Sequence, residues 1–207
     1  MSGLQANALR LALLLSLGVA LPALGQSAAR HDTVGEQTSD SEVIRPRYLL
    51  MSPAGRAVTS EDFPGRLQLV AFGFTSCPDV CPTTLLEMTH VLTALGDKAR
   101  HLQPIFITVD PQRDTALVLG AYTRAFDPRI LGLTGAPDLV RRAADSFHVR
   151  YAKVQEPGAG PDVYTMDHSA GMFLLAPDGS LVAKFGYGAT VSEVLERISY
   201  WLLVVGK

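Results

Sequence analysis

The segment Leu67 to Phe74, LQLVAFGF, is apolar at almost every position. A strand with one face in water alternates apolar and polar side chains, whereas a strand covered on both faces is apolar throughout. Strands of the second kind lie in the middle of a sheet that has helices on both sides. The sequence therefore predicts that Leu67 to Phe74 is a central strand of an α/β domain.

The residues that follow this strand predict a βαβ unit. Apolar residues recur at steps of three and four between residues 82 and 95, which indicates a helix with one buried stripe. The stripe consists of Leu85, Met88, Leu92 and Leu95. The segment PIFITVD, residues 104 to 110, predicts a second buried strand. Two strands joined through a helix in this way run parallel, with a right-handed crossover.

The α/β alternation continues after the second strand. Helical periodicity predicts helices over residues 115 to 126 and 137 to 147. Between them the segment RILGL, residues 129 to 133, predicts a short strand.

The two ends of the domain predict antiparallel structure. Residues 47 to 65 contain short apolar pieces between turn residues, which is typical of a hairpin at the edge of a sheet. Residues 171 to 188 predict two strands joined by a Pro-Asp-Gly turn, and a closing helix follows over 191 to 202. A βαβ half followed by a hairpin and a final helix is the layout of a thioredoxin-like fold. We expect a central mixed sheet flanked by helices, with an N-terminal hairpin.

The first 25 residues predict an export signal. Arg10 precedes an apolar run from Leu11 to Leu24, and small residues at its end suit a cleavage site. The run is shorter than the roughly 18 residues that usually span a bilayer, so a cleaved signal peptide and a retained membrane anchor both stay open. Residues 26 to 45 are polar and aperiodic, which predicts a flexible tether, and residues 46 to 207 form the folded domain.

The composition limits the partners and the compartment. Hydrophobic residues make up 47% of the chain and charged residues 18%, which indicates a globular protein. The net charge of −2 offers no basic excess for phosphates, so nucleic acid is not an expected partner. Export predicts a place in the cell envelope, either soluble in the periplasm or anchored to the inner membrane. Such an oxidising compartment tends to close thiols that can reach each other.

The chain has two cysteines, Cys77 and Cys81, in the segment GFTSCPDVCP just after the central strand. Open α/β sheets usually place their sites at this end of a strand. Pro82 suits the first helical turn because its missing N–H would have no partner there, which predicts Cys81 at or beside the N-cap. The free N–H groups of a helix N-terminus stabilise a thiolate, the form that binds metals and attacks disulfides.

Three interpretations of the cysteine pair stay open at this point. Two residues four positions apart on one helical turn have Cα atoms about 6 Å apart, which a disulfide tolerates. A static disulfide would add little stability, because so short a loop removes little entropy from the unfolded chain. The pair can also cycle as a redox couple, although three residues intervene rather than the two of a thioredoxin motif. Finally, two thiolates can hold a soft metal ion.

A metal site needs a further ligand, and the chain has five histidines. Four have adequate explanations in the tether, on helix surfaces or in a connecting segment: His31, His90, His101 and His148. His168 follows a long polar loop, VQEPGAGPDVYTMD, and directly precedes a predicted strand. Long loops of this kind often carry function, so His168 is either a ligand or a loop-capping residue. Its neighbour Met166 is either a soft fourth ligand or a packing residue.

Two acidic positions near the cysteines have local explanations. In the segment VDPQRDT, residues 109 to 115, we predict that Asp110 and Pro111 end a strand in a turn. We also predict that Asp114 caps the helix that follows. Asp79, between the cysteines, either orients a ligand or forms a turn.

Three motifs, GFTSCPDVCPTTL, VDPQRDT and DHSAGMFLLAPDG, occur in this order along the chain. Together they resemble the Sco/SenC family of copper proteins, which help to assemble cytochrome c oxidase. The resemblance extends from about Arg47 to the C-terminal helix. Members have a thioredoxin-like fold on an exported or membrane-tethered domain, and they bind copper through the cysteines of C-P-x-x-C-P and the histidine of D-H-S. The resemblance therefore implies that Cys77, Cys81 and His168 bind copper.

The same resemblance implies two functions. The first is a copper metallochaperone that binds Cu(I) or Cu(II) and delivers it to the binuclear copper centre of cytochrome c oxidase, with the copper-receiving subunit and a copper donor protein as partners. This is binding and transfer rather than enzymatic turnover. The second is a thiol-disulfide oxidoreductase that reduces the cysteines of the copper-receiving subunit through the Cys77/Cys81 couple. His168 separates the two functions, because dithiol exchange does not require an imidazole.

Overall fold

A computed structural model describes residues 43–155, 157–160 and 162–205. The predicted leader, and the predicted tether up to residue 42, lie outside the described residues. Within the described part of the chain, no helix combines the length and the hydrophobicity that a membrane span requires.

The described chain has nine β-strands and four α-helices. The strands are β1 (Leu49–Met51), β2 (Ala57–Thr59), β3 (Leu67–Gly73), β4 (Leu102–Thr108), β5 (Leu131–Leu133), β6 (Tyr151–Val154), β7 (Thr165–His168), β8 (Met172–Leu175) and β9 (Leu181–Phe185). The helices are α1 (Val80–Leu95), α2 (Ala116–Phe126), α3 (Pro137–Ser146) and α4 (Val191–Val205), and a 3₁₀ helix spans Gly96–His101.

The main sheet has the strand order β5-β4-β3-β8-β9, and β3 is its middle strand. Strand β3 pairs parallel with β4 and antiparallel with β8, so the sheet is mixed as expected. Every residue of β3 and of β4 is buried, which confirms that both strands are covered on both faces. The parallel pairing through α1 confirms the βαβ unit, and it brings the ends of β3 and β4 together at one edge.

The N-terminal hairpin is present and lies at the edge of the main sheet. Strands β1 and β2 pair antiparallel. Met51 and Thr134 exchange backbone hydrogen bonds of 2.6 and 3.0 Å, which joins the hairpin to the residue after the edge strand β5. The last residues of the predicted tether already contact the domain, because the Ile44 carbonyl accepts the Leu181 N–H at 2.8 Å.

Several element boundaries differ from the prediction, and those of α1 and β4 lie next to the cysteine loop or pair with the strand before it. Helix α1 begins at Val80 rather than at Pro82, since the chain turns into helical geometry directly after Asp79. Strand β4 runs from Leu102 to Thr108 rather than from 104 to 110, because its register with β3 starts at the Leu67–Leu102 pair.

The polar segment before His168 lies within a β-hairpin. It is therefore held by a strand at both ends, and not at one end as the sequence predicted. Strands β6 and β7 pair antiparallel, with Tyr151 opposite His168 and Val154 opposite Thr165. Most of their residues are exposed or half-buried, so the segment lacks the apolar alternation that indicates a strand. The two strands form a separate two-stranded sheet, and they are not part of the five-stranded one.

Candidate metal centre

The cysteine loop lies at the carboxyl end of β3, where it enters α1. The N-cap of α1 is Asp79, which makes Cys81 the second residue inside the helix; the prediction of Cys81 at or beside the N-cap was therefore wrong by a small margin. Pro82 still falls in the first turn, where its missing N–H leaves no hydrogen bond unmade. The Asp79 side chain forms no capping hydrogen bond.

Cys81 is the buried member of the pair, with only 1% of its surface exposed. Its sulfur lies against the backbone of Gly73, close enough that a Cβ atom on that glycine would be 2.7 Å from Sγ. The same Cβ would be 2.6 Å from the tip of the Phe106 ring. Burial raises the pKa of the Cys81 thiol well above its ordinary value, and nearby Asp114 acts in the same direction to a smaller extent. The Cys81 side chain is thus tightly enclosed by Gly73 and Phe106.

Cys77 is half-buried, and its sulfur accepts the backbone N–H of Cys81 at 3.4 Å. An N–H donor at the start of a helix stabilises negative charge on the atom that it faces. Both cysteines are free thiols in this structure. The pair is asymmetric, because one sulfur is accessible and faces a helix N-terminus while the other is enclosed.

His168 ends strand β7, and its Nε2 atom lies 3.7 Å from Sγ of Cys81. The other ring nitrogen, Nδ1, is 3.0 Å from the Ser169 carbonyl oxygen. A carbonyl oxygen only accepts, so Nδ1 carries the proton and donates it, which leaves the lone pair of Nε2 directed at the sulfur. The Phe74 ring packs edge-on to the imidazole, with 6.0 Å between ring centroids.

The three predicted ligands are only partly assembled. The fold brings Cys81 and His168 together, while the Cys77 sulfur faces the Cys81 amide. Among the described residues, no group of three or more His, Cys, Asp or Glu side chains is close enough to hold a metal ion. The donor set of two sulfurs and an imidazole nevertheless suits copper.

The other candidate ligands lie elsewhere. His90, His101 and His148 are exposed, and His31 lies outside the described residues. Met166 is on the same face of β7 as His168, two residues earlier, and packs against the hydrophobic core.

Asp114 does not cap α2, which corrects the prediction. The N-cap is Thr115, whose hydroxyl accepts the Val118 N–H. The carboxylate of Asp114 is fully buried and accepts three other hydrogen bonds. Their donors are Thr75 N at 3.0 Å, Thr75 Oγ1 at 2.5 Å and Thr108 Oγ1 at 2.7 Å. The sequence could not distinguish these possibilities, because Asp114 and Thr115 are adjacent and both are common capping residues.

Comparison with known proteins places the chain in one family. The SCO1/SenC family model matches residues 36–203. The chain is 36% identical over 157 residues to an SCO2-like protein of Rickettsia felis, covering 76% of each chain. A copper-bound structure of ScoI from Bradyrhizobium japonicum matches with a TM-score of 0.69 and 38% identity, over 77% of this chain and 99% of that one. Copper-bound ScoI from Arabidopsis thaliana matches with a TM-score of 0.71 and 30% identity, over 78% and 99%.

Proposed function

The chain belongs to the SCO1/SenC family, and from this premise we propose that it is a copper metallochaperone. It binds one copper ion, as Cu(I) or Cu(II), through Cys77, Cys81 and His168. It delivers the ion to the binuclear copper centre of cytochrome c oxidase, and its partners are the copper-receiving subunit and a copper donor protein. The leader predicted at residues 1 to 25 supports a location in the cell envelope.

The observation that carries the proposal is the contact between Cys81 and His168. Residues 87 positions apart place a sulfur and an imidazole nitrogen 3.7 Å from each other. Dithiol exchange does not require an imidazole, whereas copper binds both kinds of donor. The copper-bound structures of two similar ScoI proteins support the choice of metal.

Three protein donors suit an ion that has to be passed on. A structural zinc site is closed by four ligands, whereas a three-donor site leaves the ion open to the incoming ligands of a receiving protein. Cys77 and His168 are half-buried, whereas Cys81 is enclosed. We therefore infer that exchange with a partner begins on the side of Cys77 and His168.

Titration of the reduced protein with Cu(I) against a competing chelator tests the proposal. We expect one copper per chain, and we expect Cys77→Ala and Cys81→Ala each to abolish tight binding, since one thiolate and one imidazole cannot enclose the ion. His168→Ala should weaken binding, while His90→Ala, a change at an exposed histidine of α1, should not. Equal affinity in all four variants would exclude the site.

A second candidate function rests on the asymmetry of the cysteine pair. The accessible Cys77 sulfur accepts an N–H at a helix N-terminus, and the pKa of the enclosed Cys81 thiol is raised by burial. One accessible and one buried sulfur at the start of a helix is the arrangement that thiol-disulfide exchange uses. In this alternative the protein reduces the disulfide of the copper-receiving subunit: Cys77 attacks it, Cys81 resolves the mixed disulfide, and the two electrons leave the Cys77/Cys81 dithiol as it closes.

A further inference from the structure

We propose that residues 110–114, called the bracket segment below, position both halves of the metal centre. Asp114 holds the cysteine loop, and the pair Asp110 and Arg113 holds the hairpin that ends in His168. The segment therefore sets the separation between the sulfurs and the imidazole. This proposal rests on the proposed copper-binding function, because it assigns residues that adjust the same site.

The cysteine half is held through Thr75, two residues before Cys77. Asp114 accepts both the backbone N–H and the hydroxyl of Thr75, and it also accepts the Thr108 hydroxyl at the end of β4. The Thr134 hydroxyl donates to the carbonyl oxygen of Asp114 at 2.8 Å, which fixes its backbone as well. A fully buried carboxylate that satisfies three donors is a rigid link, since any displacement leaves a buried polar group unpaired.

The histidine half is held through Tyr164, the residue before β7. The Arg113 Nη1 atom donates to the Tyr164 carbonyl oxygen at 3.0 Å, and the Tyr164 hydroxyl donates to Asp110 at 2.9 Å. The guanidinium lies 3.8 Å from the centre of the Tyr164 ring. Arg113 Nε also donates to the Asp110 carboxylate, whose side chain is only 3% exposed. Tyr164 is thus attached to the bracket segment by its backbone, its hydroxyl and its ring.

These attachments matter because the hairpin has no strand partner in the main sheet. Among the described residues, β6 and β7 pair only with each other, so side-chain contacts contribute to their orientation. A chain of side-chain contacts leads from the bracket segment to the ligand. The Arg113 guanidinium is 5.9 Å from the centre of the Phe74 ring, and that ring contacts the imidazole of His168 edge-on. Arg113 Nη2 is buried without a hydrogen-bond partner among the described residues.

The two attachments predict separable effects. Loosening Tyr164 should disturb His168 and leave the two sulfurs in place. Loosening Thr75 should disturb the sulfurs, and with them the dithiol-disulfide equilibrium. A general loss of stability would instead change both properties in parallel.

The test compares Tyr164→Ala and Tyr164→Phe with Thr75→Val and Thr75→Ser in the full chain. Each variant is measured for Cu(I) affinity, for the spectrum of the Cu(II) form, for the equilibrium constant of disulfide formation with glutathione, and for melting temperature. Tyr200→Ala, at an exposed tyrosine of α4, is the matched control.

We expect Tyr164→Ala to weaken copper affinity about tenfold and to alter the Cu(II) spectrum, with the glutathione equilibrium unchanged. Tyr164→Phe, which keeps the ring, should show a smaller change in the same direction. Thr75→Val should change the glutathione equilibrium about threefold or more, and Thr75→Ser, which keeps the hydroxyl, should restore it. An unchanged affinity and spectrum in Tyr164→Ala would overturn the proposal, as would parallel changes of both properties in both variants.

Amide hydrogen exchange without copper separates this proposal from the proposed function. Tyr164→Ala should accelerate amide exchange in β7 but not in the cysteine loop. Thr75→Val should accelerate it in the cysteine loop but not in β7. If the unaltered protein bound no copper, the proposed function would fail, and this exchange pattern together with the glutathione equilibrium would still decide the bracket segment.

Discussion

Sγ of Cys81 and Nε2 of His168 lie 3.7 Å apart, although 87 positions separate the two residues in the chain. The sulfur is held by the close packing of Cys81 against Gly73, and the ring nitrogen is oriented by the hydrogen bond from Nδ1 to the Ser169 carbonyl. Two donors of the proposed copper site are therefore preset by the fold. The third proposed donor, Cys77, is half-buried, and its sulfur accepts the backbone N–H of Cys81.

Oxidation should switch copper binding off. A disulfide between Cys77 and Cys81 offers no thiolate, and His168 alone cannot retain the ion. Equilibrium dialysis of oxidised and reduced protein should show copper only with the reduced form, and reducing the oxidised sample should restore it. One copper per chain on oxidised protein would contradict the proposed ligand set.

Gly73→Ala should displace the buried sulfur. The added Cβ would lie 2.7 Å from Sγ of Cys81 and 2.6 Å from the Phe106 ring, so the site has to expand. Overpacking of this kind costs about 1–3 kcal/mol in the free energy of unfolding. We expect that loss in denaturant unfolding, together with weaker copper binding.

The control for this change is Gly186→Ala, because a Cβ at Gly186 meets no atom within 4 Å. Copper affinity in the control should equal that of the unaltered protein. Full stability and full affinity in Gly73→Ala would show that the Cys81 side chain is not tightly enclosed.

Asp127 should give the protein a stability that disappears in acid. Hydrogen bonds from the Arg129 side chain lower the pKa of Asp127 below its ordinary value of 3.8, and burial opposes this with a smaller effect. Because the folded-state pKa is the lower one, the contribution is complete above the ordinary value and is lost as pH falls through the folded-state value. Asp127→Asn should therefore reduce the free energy of unfolding at pH 7, and the difference should shrink below about pH 4.

Arg129→Gln should reproduce this pH dependence, since it removes the donor of the same hydrogen bonds. Urea unfolding at a series of pH values measures both variants. A stability difference that stays constant from neutral to acid pH would mean that Asp127 has the same pKa in the folded and unfolded chain.

The predicted leader implies that the folded domain lies outside the cytoplasmic membrane. A reporter enzyme that is active only in the cytoplasm, fused after Lys207, should stay silent whether residues 1 to 25 are cleaved or retained. Deleting residues 1 to 25 should make the same fusion active. Activity of the undeleted fusion would contradict export.

The elements that the sequence predicted well carry a local signal. β3 is apolar at almost every position, which indicates burial on both faces, and α1 repeats its apolar residues at helical spacing, which indicates one buried stripe. The hairpin of β6 and β7 carries no such signal. Its residues are mostly polar or exposed, and what makes them strands is their pairing with each other.

The candidate site likewise contains residues that a local sequence signal identifies and residues that it does not. Cys77, Cys81 and His168 belong to recognisable motifs, whereas the role of Asp114 depends on Thr75, which lies 39 residues away. A local sequence pattern cannot distinguish an aspartate that caps a helix from a buried aspartate that joins two loops. Only the parallel pairing of β3 with β4 brings the two loops together, and this places Asp114 beside the cysteine loop.

His168→Ala should separate the two candidate functions in cells. The variant loses one of three bonds to copper, while Cys77 and Cys81 remain free to cycle between dithiol and disulfide. If copper delivery is the function, oxidase activity should fall markedly at limiting copper, although the measured disulfide reduction potential stays close to that of the unaltered protein. If thiol exchange is the function, the variant should support full oxidase activity, because its sulfur chemistry is intact. Oxidase activity in cells that carry only the variant, compared with cells that carry His90→Ala, decides between them; full activity with an unchanged potential would replace the chaperone by the reductase.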